Sequence, residues 1–191
     1  MLNTIVLTIV FLVVIAIIVY FVIIFNGLIR LKRNIEKSWA NIDVLLKQRY
    51  DEVPRLVEIV KGYASHEKKI IKAIVEAREL YTGAKSVGEK AAANEMLTSA
   101  LKSLFAIVEN YPQLRANETF KYLQERISGI ENEIADRREF YNDSVMLYNT
   151  RIQIFPDRLV ARVMHCTRQE FFEAKPEEMR PVGFKLGNVI R

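Results

Sequence analysis

Residues 5–25 read IVLTIVFLVVIAIIVYFVIIF, and the only clearly polar residue among them is Thr8. About 20 apolar residues in a helix rising 1.5 Å per residue cover the roughly 30 Å hydrocarbon core of a bilayer. The sequence therefore predicts a transmembrane helix that begins at Ile5 and ends at Phe25. A cleaved signal peptide is the competing interpretation, but it would have a basic start, a shorter apolar core and a small-residue cleavage site.

The basic residues next to this span predict its orientation. No Lys or Arg precedes the span, whereas a cluster of basic residues follows it directly. Basic flanks stay on the cytoplasmic side, where they also face anionic lipids. We expect a single-pass protein of the cytoplasmic (inner) membrane with its N-terminus outside, the bulk of the chain in the cytoplasm and the lipid bilayer as a partner. The topology-determining residues are Arg30, Lys32, Arg33 and Lys37.

The remainder of the 191-residue chain is strongly charged, since residues 1–29 carry none of the 28 Lys+Arg or 23 Asp+Glu. The single Cys166 excludes an intramolecular disulfide framework. Seven Gly and five Pro argue against collagen, low complexity and a turn-dense β-sandwich. The net charge of +5 is concentrated after the span. No nucleic-acid-binding signature accompanies it, so no nucleic-acid partner is expected.

Apolar residues recur at spacings of three and four through most of the charged part, which predicts successive amphipathic helices. Pro54 is expected to interrupt the first of them, and Pro112 to end the third. The glycine-bounded stretch 82–88 is expected to be a loop. The most regular stripes are Leu97, Leu101, Leu104, Val108 and Tyr111, and then Phe120, Leu123, Ile127, Ile130, Ile134, Tyr141, Val145 and Tyr148.

One-faced helices joined by short connections bury their stripes against each other in a bundle. The predicted fold is all-α: an N-terminal transmembrane helix, an antiparallel four-helix-type bundle, a short C-terminal helix and an extended tail. The expected domains are a transmembrane anchor at residues 1–29, the bundle at 30–150, and the short helix with the tail at 151–191. Because only Asn26 and Gly27 separate span and bundle, we expect one long helix to leave the bilayer.

Two long strings resemble the LemA family. They are RLKRNIEKSWANIDVLLKQRYDEVPRLVEIVKGYASHEKKIIKAIVEAR at residues 30–78 and ENYPQLRANETFKYLQERISGIENEIADRREFYNDSVMLYNTRIQIFP at residues 109–156. The resemblance covers roughly residues 1–175, including the anchor. It implies a bacterial helical bundle on a single membrane span, with no established enzymatic activity.

Candidate chemistry is sparse. His165 and Cys166 offer two adjacent metal ligands, which cannot complete a tetrahedral site without a second pair. The Glu-x-x-His motif of di-metal bundles does not occur, and no serine lies in a nucleophile-elbow context. We therefore expect no enzymatic activity, no cofactor, no metal and no small-molecule substrate.

A repeated Tyr-Asn step marks a candidate partner surface. The tyrosines share one helix face and the asparagines another, each pair seven residues apart. In one interpretation the set docks another subunit. In the other, the tyrosines bury their rings and the asparagines bind backbone groups of a loop or the tail. The set consists of Asn132, Arg138, Tyr141, Asn142, Tyr148 and Asn149.

The function that these features favour is a non-enzymatic, membrane-anchored scaffold that forms homo-oligomers or recruits a membrane or cytoplasmic protein. One alternative is an enzyme with an unrecognised polar site, around Glu131, Arg138 and His165. Another is a subunit of a membrane pore or transport assembly, although the span has almost no polar residues to line a pathway.

Overall fold

The computed structural model describes residues 1–173, and the expected tail beyond them lies outside the described residues. Six α-helices and no strand occur within this part of the chain. The all-α prediction is therefore confirmed. The helices are α1 (Leu2–Tyr63), α2 (Lys68–Gly83), α3 (Val87–Val108), α4 (Pro112–Ala116), α5 (Glu118–Arg151) and α6 (Asp157–Val163).

Helix α1 continues without a break from the apolar span into the charged part of the chain. The expected continuity through Asn26 and Gly27 is confirmed, but the expected interruption at Pro54 is wrong. Proline removes one helical hydrogen bond, yet Val53 just before Pro54 and Leu56 two residues after it are both buried. Packing of this apolar face outweighs the local preference of proline, so α1 ends later, at Tyr63.

The later helix boundaries follow local sequence signals. Residues 84–86 separate α2 from α3, inside the expected loop. Ser86 then caps α3 by accepting a hydrogen bond from the Glu89 N–H, while the Glu89 carboxylate accepts one from the Ser86 N–H. Helix α3 ends at Val108, ahead of Pro112, as expected. Pro112 itself opens α4, because a proline at the first helical position sacrifices no hydrogen bond.

The chain forms two compact units, and α1 and α5 each contribute to both. The first, which we call the bundle unit, comprises Asn41–Arg138 and the described residues from Glu170 onward. It is a four-helix-type bundle made of α2, α3 and parts of α1 and α5, with alternating directions imposed by short connections. Its core draws on all four helices and includes Leu56, Val60, Ile74, Leu97, Leu101, Leu104, Leu123 and Ile127.

The second, the anchor unit, comprises Met1–Ala40 and Glu139–Gln169. It contains the apolar span, the end of α5 and all of α6. Its buried apolar residues are Ile24, Leu28, Ile35, Tyr141, Val145, Tyr148, Ile152, Val160 and Ala161. The domain boundaries that the sequence predicts after residues 29 and 150 stay a prediction.

Candidate functional site

The N-terminal part of α1 is built to face lipid. Within residues 1–173, α1 is the one helix long and apolar enough to cross a membrane, and its most apolar window has a mean hydropathy of 3.4. Every large apolar side chain from Leu2 to Ile23 is exposed. Thr8, the one clearly polar residue of the span, donates its hydroxyl to the Thr4 carbonyl oxygen at 2.9 Å. The span therefore offers apolar surface outward and is a membrane anchor.

The four basic residues that follow the span are all exposed. Arg33 pairs with Glu36 one helical turn further on, at 2.8 Å. Arg30, Lys32, Arg33 and Lys37 present their charge at the surface of the anchor unit, immediately after the apolar segment, where phosphate headgroups would lie.

Within the anchor unit α5 runs antiparallel to α1. The rings of Trp39 and Tyr141 lie 5.7 Å apart between centroids. Ten residues later in α5, Arg151 reaches Gly27, where an added methyl group would come within 3.4 Å of the Arg151 Nη1 atom. Arg151 also pairs with Asp157, at 2.6 Å between Nε and Oδ2. The C-terminal end of α5 therefore lies beside the part of α1 where the apolar segment ends.

Three residues of the expected partner surface are buried in the anchor unit. Tyr141 and Tyr148 are exposed by only 2% and 1%. Asn149 binds the backbone of Gln169 twice, since its Nδ2 donates to the Gln169 carbonyl and its Oδ1 accepts from the Gln169 N–H, both at 2.9 Å. Burial and a hydrogen bond to Cys166 raise the pKa of Tyr148 to about 12. These contacts correspond to the second interpretation of the Tyr-Asn steps, with buried rings and asparagine-bound backbone.

The other three residues of that set remain at or near the surface. Asn132 is exposed, and Asn142 is half-buried. Arg138 pairs with Glu95 at 3.1 Å, and its guanidinium lies 5.9 Å from the centroid of the Phe172 ring. A partner surface is therefore kept as a proposal for Asn132, Arg138 and Asn142.

A charged cluster inside the bundle unit was not anticipated. The Arg49 side chain is completely buried; its Nη1 donates to Asn94 Oδ1 at 2.7 Å and to Thr98 Oγ1 at 3.0 Å. Its Nη2 pairs with Glu131 Oε2 at 2.9 Å. Burial lowers the pKa of Arg49, whereas the Glu131 carboxylate raises it.

The sequence carried a signal for this cluster. Arg49 falls three residues after the stripe residue Leu46 and four before Val53, and Asn94 falls three before Leu97. A polar residue at a stripe position of an amphipathic helix is expected to be buried and therefore to need a partner.

The residues suggested for an unrecognised enzymatic site have separate partners. Glu131 binds Arg49, and Arg138 binds Glu95. His165 belongs to the anchor unit, where its positive φ of 52° ends α6 and lets the Cys166 N–H donate to the Ala161 carbonyl at 2.9 Å. Within residues 1–173, no group of three or more His, Cys, Asp and Glu side chains is arranged to hold a metal ion.

An open cleft of about 300 Å³ lies in the anchor unit beside Tyr148, His165 and Cys166. Its opposite wall is α1, which contributes Ile29, Lys32, Arg33 and Glu36. The cleft shows that the chain after α6 runs back along the basic segment of α1.

The fold and these surfaces define a protein class: a helical bundle tethered to a membrane by one apolar helix. The sequence model of the LemA family matches residues 38–185, which is well over half of the chain. The protein belongs to the LemA family.

Similar proteins include the magnetosome proteins MamQ 1 and MamQ 2 of Paramagnetospirillum magneticum and MamQ of Magnetospirillum gryphiswaldense. Each is 24% identical over 184 residues, and the match covers 83% of this chain and 68% of the relative. The apolar helix α1 makes the protein a membrane-associated member of its family.

Proposed function

We propose that this protein is a non-enzymatic scaffold anchored in the bacterial cytoplasmic membrane, which associates with further copies of itself. The observation that carries the proposal is that a single helix, α1, supplies both the apolar span and the first helix of the bundle. A bundle attached in this way stays at the membrane. The Arg49 cluster supports a structural role, because its charged groups bind one another and leave no free acid or base for chemistry.

The proposed orientation places the N-terminus outside and the bundle in the cytoplasm, supported by the exposed basic residues after the span. The test uses two single-cysteine variants, Asn3→Cys and Glu58→Cys, in a Cys166→Ser background. A membrane-impermeant maleimide should label Asn3→Cys in spheroplasts and Glu58→Cys only after lysis. Labelling in the opposite order would overturn the orientation and leave the anchor itself intact.

The proposed self-association uses the outer face of α5. Phe140 and Leu147 lie seven residues apart and are both exposed, with Met146 exposed beside them. Exposed apolar residues at heptad spacing are typical of a helix seam between subunits. Of the proposed partner surface, Asn132 lies on this side of α5, whereas Arg138 and Asn142 are each two residues from Phe140 and lie on the opposite side of the helix, where they would make separate polar contacts.

The experiment is native mass spectrometry of the full-length protein in nanodiscs, with Phe140→Glu compared with Tyr122→Glu. Tyr122 is an exposed aromatic residue of the same helix, so it controls for the added charge. We expect the wild type and Tyr122→Glu to form a defined oligomer and Phe140→Glu to lose it. A monomeric wild type would overturn self-association, and an oligomer that survives Phe140→Glu would exclude this face.

A further inference from the structure

The corner formed by the turn after α5 and by α6 itself exposes several large apolar side chains. Phe155 is 81% exposed, Leu159 59% and Val163 67%, and Ile154 is exposed beside them. Leu159 and Val163 are four positions apart and share one face of α6, whereas Asp157, Val160 and Ala161 on its other side are buried; Phe155 lies in the turn that precedes α6. Helix α6 is therefore amphipathic, with its outer face uncovered.

The contacts within the anchor unit place this corner at the edge of the apolar span. Arg151 lies against Gly27, two residues after Phe25, where the apolar segment ends. On a lone helix Ile24 would be exposed, yet it is only 3% exposed, so the other part of the unit covers the last turn of the span. Further along, Met164 and Thr167 lie beside Ile29 and Glu36. Residues 152–163 therefore lie beside the part of α1 that would emerge from the hydrocarbon core of the bilayer.

The charges of the corner suit a headgroup layer. Asp157 is its only acidic residue, and that carboxylate is buried and paired with Arg151. The remaining charged residues of 154–163 are Arg158 and Arg162, both exposed. They lie four residues apart and flank the apolar face of α6. Arginine side chains in this position extend toward phosphate groups while the apolar side chains between them enter the acyl region.

We infer that the corner formed by residues 154–163 is a second membrane contact, which inserts Phe155, Leu159 and Val163 into the interface of the leaflet that α1 leaves. The occupant of the exposed face is the lipid surface, because the face is continuous with the end of the span and its exposed charged residues, Arg158 and Arg162, are both basic. The inference requires the membrane anchor; it requires neither the proposed orientation nor self-association.

The test measures the surroundings of Leu159 in the full-length protein reconstituted into vesicles of phosphatidylcholine and phosphatidylglycerol. Leu159→Cys and Val44→Cys are made in a Cys166→Ser background and spin-labelled. Val44 is the matched control because it is an equally exposed apolar residue, at 57%, that lies about 28 Å beyond Phe25 along α1. The readout is the ratio of collisions with lipid-soluble oxygen to collisions with a water-soluble nickel chelate.

We expect this ratio to be several-fold higher at Leu159 than at Val44. The line width should not change when the protein is diluted in lipid. Replacing Arg158 and Arg162 together by Gln should lower the ratio at Leu159 in vesicles containing phosphatidylglycerol and leave it unchanged in pure phosphatidylcholine.

Equal ratios at Leu159 and Val44 would overturn the inference, because the corner would then face water. Low collision rates with both reagents, together with line broadening that disappears on dilution, would overturn it in favour of a second copy of the chain. Because both labels replace exposed side chains, a folding defect should affect neither; far-UV circular dichroism of the two variants checks this.

Discussion

The bundle unit and the anchor unit stabilise their polar groups in different ways. In the bundle unit, Arg49 is bound by side chains from two other helices, while its Nε and the neighbouring Tyr50 hydroxyl are buried with no hydrogen-bond partner among residues 1–173. In the anchor unit, Asn149 instead holds the backbone of Gln169, twenty residues further along the chain. The bundle unit has a continuous apolar core, whereas the anchor unit leaves the span and the α6 corner uncovered.

This difference indicates that different surroundings bury the apolar side chains of the two units. Four helices suffice to remove the apolar stripes of the bundle unit from water. The anchor unit leaves the span and the α6 corner exposed, and we propose that the bilayer covers both. Substitutions inside the bundle unit should therefore act in any solvent, whereas those in the anchor unit should act on a region that also depends on lipid.

The largest effect is expected from Arg49→Ala, which would leave Glu131 and Asn94 without their buried partner. The truncation leaves a cavity and an unpaired buried Asn94, while the Glu131 carboxylate, at 32% exposure, is still reached by water, so we expect a cost of about 2–4 kcal/mol. Hydrogen exchange of peptides from α3, read by mass spectrometry in nanodiscs, should show that loss of local stability. The exposed Lys72→Ala, which breaks an i,i+4 pair with Glu76 on α2, should cost about 0.5 kcal/mol or less.

A double variant sharpens this prediction. Arg49→Met with Glu131→Leu removes both charges and should recover most of the stability lost in Arg49→Ala. If the double variant were as unstable as Arg49→Ala, neither the lost volume nor the unpaired carboxylate would explain the cost, which would then come from Asn94 and Thr98 left without their partner.

A smaller effect is expected in the anchor unit from Asn149→Ala, which would leave the N–H and carbonyl of Gln169 without their side-chain partner. Loss of such contacts costs about 1–3 kcal/mol. Faster hydrogen exchange should be confined to residues 164–169. The exposed Asn132→Ala should stay within about 0.5 kcal/mol of the wild type. Exchange that rises equally in the bundle unit would contradict the division into two units.

The pH dependence tests the anchor unit separately. Because the pKa of Tyr148 is raised to about 12, the folded state keeps the phenol protonated. The stability that Tyr148 contributes is complete below the ordinary tyrosine pKa of about 10 and is lost as the pH rises toward about 12. Fluorescence of Trp39, whose ring centroid lies 5.7 Å from that of Tyr141, should report this loss. Tyr148→Phe should reduce the alkaline loss, whereas Tyr122→Phe should leave it unchanged.

The smallest effect is expected from His165→Gly. His165 has a positive φ, which costs an L-residue roughly 1–2 kcal/mol and glycine almost nothing. The substitution should therefore raise the stability of the anchor unit by about 1 kcal/mol, measured as a higher melting temperature. His66→Gly is the matched control, since His66 lies in a turn without positive φ and should gain nothing. A destabilised His165→Gly would show that the imidazole itself makes a needed contact.

Most of the fold could be predicted from the sequence because its signals are local. Every stripe residue predicted from Leu97 to Val108 and from Phe120 to Tyr148 is buried. Pro54 was misjudged because the packing of Val53 and Leu56 is a long-range effect that no local preference records. The candidate surface was harder to predict: the Tyr-Asn steps marked Tyr148 and Asn149, but the pattern could not show that both face inward.

The apolar span, the helical stripes and the positions of basic charge follow from the sequence alone, since each depends on residue type and spacing along one helix. The resemblance to the LemA family also follows from the sequence alone. Only the tertiary structure decided that Arg49 meets Asn94 and Glu131, that Asn149 holds Gln169, and that α6 lies at the end of the span beside Gly27. These contacts join residues far apart in the chain. A helical period specifies which face of a helix is buried, but the partner that covers that face depends on how the helices pack together.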